Sequence, residues 1–229
     1  IVAFDSSTNS LWVSGVTGVD VLNASTGSLI QRIDTTLWGS VNSVAIKNGI
    51  AAFAIESNTK TNNGSVVLFN TSTRSLLAGT SVITVGALPD MLTFTADGSR
   101  ILVANEGTPS TYGTLLSNTS GTRVFNPAAV DPVGSVSIID VASRSATTVS
   151  LAGALETGSN IRKNTGMNFE PEYLAVNQAG TKAYVTLQEA NAMGVLNLQT
   201  LSFEKVVGLG VKDFSLAGSF IDPKNDGAI

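Results

Sequence analysis

The sequence contains no cysteine and no histidine. The first absence excludes a disulfide framework, a thiolate nucleophile and any cysteine-ligated metal. The second removes the usual general base and the commonest metal-binding side chain. Charge is scarce as well. Asp, Glu, Lys and Arg make up 13% of the 229 residues, about half the usual share for a soluble domain. The net charge is −4, and no basic stripe exists to displace counterions from a phosphate backbone, so no nucleic-acid partner is expected. No apolar run approaches the ~20 residues that a helix needs to cross a bilayer. A membrane is therefore expected only through an anchor outside this chain. Serine is plentiful, but no G-x-S-x-G elbow is present to activate one. No signal-peptide pattern is visible. The chain opens on Ile1 directly into an apolar strand and stops at Ile229 without a closing element, so it reads as an excerpt of a longer protein.

What is present is apolar and small. Hydrophobic residues reach 43%, enough for a sizeable core, and Ser, Thr, Asn and Gly fill the surface in place of charge. Internal repetition is the strongest signal. Val41–Ile46, a turn at Asn48-Gly49 and Ala51–Glu56 form one strand–turn–strand phrase. Pro89–Phe94, a turn at Ala96-Asp97-Gly98 and Ile101–Glu106 form a second. Pro171–Val176, a turn at Gln178-Ala179-Gly180 and Ala183–Glu189 form a third. Asn-Gly and Asp-Gly supply the positive φ angles that tight hairpins need. A further hairpin completes each unit, and an Asn or Asp closes its first strand: Asn23, Asn70, Asp140 and Asn197. Those short side chains can bond the turn backbone where strand pairing stops.

A four-stranded unit of roughly 40–50 residues is the sequence signature of a propeller blade. The expected fold is all-β: a β-propeller with four-stranded antiparallel blades, four of them in this excerpt of a larger propeller. The blades are expected at about 1–36, 39–86, 88–151 and 168–210, with insertions at 107–133 and 152–168. A sandwich would also give many short strands, but not one four-strand phrase four times.

Several long phrases resemble the choice-of-anchor I domain family. They are Leu102-Val103-Ala104-Asn105-Glu106-Gly107, Asp131 through Asp140, Phe169 through Val176, Ala183 through Ala192, and the tail from Lys212-Asp213 to Asp226-Gly227. The Tyr184-Val185-Thr186 phrase is shared more loosely with surface-layer propellers. The resemblance implies a bacterial exported propeller held at the cell surface by a separate anchor, so an extracellular, cell-surface or periplasmic location is expected. It also implies two departures: Thr108 stands where such chains carry a second acid, and Phe214 where histidine is common.

The candidate site follows from the repeats. In a propeller, loops from second to third strand share one face with loops that lead into the next blade. Glu56, Glu106 and Glu189 end second strands, while Asn42, Asp90 and Glu172 precede first strands. The two long insertions belong to that face, and long loops on a rigid scaffold are where function usually resides. One reading is a hard-cation site, with calcium or another divalent cation held by Glu56, Asp90, Glu106, Glu172 and Glu189. The other is that each acid caps its own strand. Candidate counter-charges are Arg123, Arg162, Lys163 and Lys212. At the level of function, the expected role is a binding or structural module that meets a ligand, a surface polymer or sister subunits through this acidic face. The alternative is a metal-dependent phosphoesterase on the same face.

Overall fold

The computed structural model describes residues 1–115, 123–124, 126–162, 169–216 and 218–219. Among these residues there is no helix, and the chain runs through four sheets in order. In the first sheet, β1 (Val2–Asp5), β2 (Ser10–Gly15), β3 (Gly18–Asn23) and β4 (Leu29–Asp34) pair antiparallel in sequence order. The second holds β5 (Ser40–Lys47), β6 (Ile50–Glu56), β7 (Asn63–Asn70) and the two-residue β8 (Ser75–Leu76). Here the outer position is shared: β9 (Val82–Ala87) also pairs with β7. The third sheet starts with β10 (Pro89–Phe94) and β11 (Arg100–Asn105). A small hairpin then intervenes, β12 (Thr114–Leu115) with β13 (Arg123–Val124), before β14 (Ser135–Asp140) and β15 (Ala146–Ser150) complete the third sheet.

The fourth sheet has five strands. β16 (Leu155–Ser159) lies outermost, parallel to β20 (Ser202–Leu209), followed inward by β19 (Ala192–Asn197), β18 (Lys182–Leu187) and β17 (Leu174–Val176). β16 comes from the segment that joins the third sheet to the fourth, where the repeats predict only an insertion. It pairs along the outer edge of β20, which would otherwise present a row of free backbone groups.

Local chemistry explains the hairpins. Asn48 and Gly49 both take positive φ, 51° and 76°, as a type I′ turn requires. At the end of each third strand the marker side chain bonds the turn. Asn23 Oδ1 accepts from the amides of Ser25 and Thr26, and Asn70 Oδ1 from those of Ser72 and Thr73. Asp140 accepts from the Ser143 amide and hydroxyl, and Asn197 from the amides of Gln199 and Thr200.

The sheets stack face to face, and each interface has its own apolar cluster. Trp12, Val19, Phe53, Val67 and Phe69 fill the space between the first two sheets. The Phe53 and Phe69 rings stack with centroids 4.8 Å apart. Ala52, Ala54, Leu68, Leu92, Ile101 and Val103 lie between the second and third. Leu102, Ala104, Val136, Val185, Leu187 and Leu196 lie between the third and fourth. Strands β6 and β11 are thus buried on both faces, which is why they read as continuous apolar runs instead of alternating ones. Arginines add links between sheets. Arg74 Nε donates to Gln31 Oε1 (3.2 Å) and Arg144 Nη1 to the Thr80 carbonyl (2.6 Å). Arg100 Nη1 donates to the Leu198 carbonyl (2.6 Å).

Successive first strands also meet: β1 lies against β5, β5 against β10, and β10 against β17. Among the described residues the stack does not close on itself. Side chains that point away from it on the first and last sheets are exposed, among them Val2 and Phe4 at one end and Tyr173 and Tyr184 at the other.

Candidate functional site

Antiparallel strands place two kinds of connection at opposite ends of each sheet. Turns from first to second and from third to fourth strand share one end. Second-to-third connections and the entries to first strands share the other.

The two ends treat carboxylates differently. At the first end, hydroxyls and backbone amides solvate the charge. Asp97 accepts from the Thr95 hydroxyl and from the Ser99 amide and hydroxyl, which hold its pKa down at about 2. Backbone and hydroxyl bonds from Ser143 likewise lower that of Asp140. Hydrogen bonds to the ionised form favour it.

At the second end a repeated junction positions the acids. Gly64 opens β7 so close to the next sheet that a Cβ there would lie 2.4 Å from Pro89 Cδ and 2.6 Å from the Ile55 carbonyl. One sheet later, a Cβ on Gly134 would lie 1.9 Å from the Phe169 carbonyl and 2.7 Å from Pro171 Cδ. Only glycine allows this approach. Each proline precedes an acid, Asp90 or Glu172, and each glycine follows a second strand with an acid at or just past its end, Glu56 or Glu106. Asn42 and Asp90 occupy β-bulges in first strands, which re-aim a side chain off the regular pleat. Asn42 Nδ2 donates to Glu56 Oε2 (3.2 Å) and to the Pro89 carbonyl (3.1 Å). Gln188 Nε2 donates to Glu172 Oε1 (3.3 Å).

These acids feel one another. Burial raises the pKa of Asp90, and Glu56 adds to it. Burial raises that of Glu106, with Asp90 and Glu189 contributing, against a hydrogen bond from Thr108 and the charge of exposed Lys60. Glu172 is pushed up to about 7, by burial first and then by Glu189, Glu106 and Asp90.

The repeats did not single out Glu170. It is 3% exposed, and its pKa is also raised to about 7, by burial and by Glu106, Glu189 and Asp131. Its Oε2 accepts from the Tyr112 hydroxyl at 2.7 Å, which pushes the tyrosine's own pKa up, behind the larger effect of burial. Its Oε1 is buried without a hydrogen-bond partner. Glu170 has no acidic counterpart in other repeats, since Leu88 holds the matching place before Pro89. Its sequence signal was the Phe169-Glu170-Pro171-Glu172 phrase, with acids on both sides of a proline.

Of the five acids expected in one site, Asp90 and Glu189 raise Glu106, Glu189, Glu106 and Asp90 raise Glu172, and Glu56 raises Asp90. No salt bridge among the described residues reaches Glu106, Glu170, Glu172 or Glu189. Among the same residues no group of three or more acids is already arranged as a metal-holding set. Lys212 lies over the Phe214 ring, 5.3 Å from its centroid. Lys163 and the tail acid Asp226 lie outside the described residues. Chemically, the arrangement offers carboxyls that hold protons near neutral pH and attract cationic groups.

Solved structures share the fold. A Kuenenia stuttgartiensis hydrazine synthase chain is similar over 86% of this chain and 52% of its own, with a TM-score of 0.60 and 16% identity. A Bacteroides caccae protein of unknown function is similar over 92% of this chain and 62% of its own, with a TM-score of 0.54 and 15% identity. This chain therefore spans less than two thirds of either one. No curated protein matches it. Similarity at this identity speaks for architecture alone. A family model is more specific: the choice-of-anchor I domain matches residues 1–229, and the chain belongs to that family.

Proposed function

We propose that this chain forms part of an exported or surface-displayed β-propeller and works as a binding or structural module. Its working end is the one that carries Glu56, Asp90, Glu106, Glu170, Glu172 and Glu189. Family membership supports an exported or cell-surface protein. Propeller architecture is supported by one four-stranded unit recurring in order, with each first strand packed against the next.

The observation that carries the binding role is the repeated Gly–Pro junction. It sets half-buried carboxyls at the same end of neighbouring sheets, with no salt bridge among the described residues to Glu106, Glu170, Glu172 or Glu189, where the long connection 107–133 also leaves its sheet. Burying like charges together is unfavourable, so a fold that does so at two successive junctions retains them for a contact they make. The partners that fit are a cell-surface polymer or neighbouring copies of the protein, approaching with cationic or hydroxyl groups. The comparisons lend no support to phosphoesterase chemistry.

The test is retention of the purified chain on isolated cell-envelope polymer, beside a Glu106→Gln/Glu172→Gln/Glu189→Gln variant. The wild type should be retained and the variant released. Equal retention of both, or none of either, would count against this end as the binding surface.

A further inference from the structure

We propose that Glu170, with Glu106, Glu172 and Glu189 around it, forms a divalent-cation site, with calcium the best-matched ion. The inference rests on reading this sheet end as the working end and names what it binds first.

Glu170 carries the argument. Its side chain is 3% exposed. Tyr112 fixes one carboxylate oxygen from the 107–133 connection, and the other is buried with no partner. Leaving a buried carboxylate oxygen unpaired is costly. The charges that act on it are carboxylates too, Glu106, Glu189 and Asp131. A second buried oxygen, Glu189 Oε2, is also without a partner. A divalent cation is a partner that two such carboxylate oxygens can share.

The donor set consists of carboxylate oxygens, with Gln188 beside Glu172. Histidine and cysteine are absent from the chain. That set suits a hard ion that accepts six to eight oxygens in flexible geometry, as calcium does. The acids do not yet converge on a single point. Tyr112 keeps Glu170 in place as the fixed ligand.

The test is thermal unfolding of the chain at pH 7.5, after chelator treatment, with calcium chloride titrated in and calorimetry in parallel. Magnesium chloride and matched sodium chloride are the controls. Calcium at about one hundred times its Kd should raise the midpoint by roughly 5–10 °C. Glu170→Gln, which keeps shape and the tyrosine contact, should lose that rise. Glu204→Gln, an acid paired with Lys182 outside the cluster, should keep it. No calcium-dependent rise and no binding heat in the wild type would overturn the site, and so would a rise that Glu170→Gln retains. A rise with a lysine-rich peptide but not with calcium would overturn it in favour of a basic ligand. Polymer retention that fails while the calcium rise persists would sink the module role and leave the ion site standing.

Discussion

At the residue scale, each side chain's work is set by which end of a sheet it occupies. Asp97 is held ionised by three hydrogen bonds, whereas Glu170 and Glu172 hold protons up to about pH 7. The consequence for stability follows from linkage. A carboxyl whose pKa rises from its ordinary 4.5 to about 7 on folding binds its proton more tightly in the folded state. Its contribution is complete below about pH 4.5 and is lost as pH rises through about 7. Asp97 works the other way: its contribution is present above its ordinary 3.8 and is lost as pH falls through about 2. Without divalent ions, the unfolding midpoint should therefore fall between pH 5 and pH 8, and Glu170→Gln/Glu172→Gln should flatten that slope. A midpoint that stays level over this range would show that the two groups are ionised throughout. The turn residues were legible in the sequence because their bonds span only two or three positions. Asn70→Ala removes two such bonds to turn amides and should cost roughly 1 kcal/mol, read by denaturant unfolding. Glu170 was not legible as a site residue, because its burial depends on a junction with another sheet and it has no repeated counterpart to betray it.

At the element scale, hairpins and their order could be read directly, since each pairs neighbours in sequence. β16 could not. Its partner β20 lies more than forty residues away along the chain, the pairing is parallel, and no other repeat carries such a strand. The junctions between sheets were half legible: Pro89 and Pro171 stood out, but their closeness to Gly64 and Gly134 is a tertiary fact. Gly134→Ala should cost roughly 3 kcal/mol, since its Cβ would strike backbone oxygen that cannot rotate away. It should also weaken calcium binding as the third and fourth sheets separate. A variant as stable as wild type would mean that the junction can open freely. Thr157→Pro in β16 should bare the edge of β20. Light scattering on warming should then begin several degrees earlier than in the wild type. Unchanged onset would deny β16 its protective role.

At the scale of the whole molecule, the sheets form a series in which each touches chiefly its neighbours. The end sheets are supported from one side, and their other faces expose Val2 and Phe4, and Tyr173 and Tyr184. Exposed apolar faces of this kind promote association. Sedimentation of this chain should show concentration-dependent self-association that Phe4→Ser/Tyr184→Ser reduces; an equally monodisperse wild type would argue that the faces are inert. The parallel strand on the last sheet has a mechanical meaning. Chain enters β16 from the first three sheets and leaves the last sheet through β20, and the two strands are in register from Leu155 with Lys205 to Ser159 with Leu209. Tension between those two exits drags the strands past each other lengthwise. Every rung of the pair bears the load at once, whereas a hairpin pulled from its open end gives way rung by rung. The last sheet is thus built as a shear clamp, and stretching should unravel the hairpins before it yields.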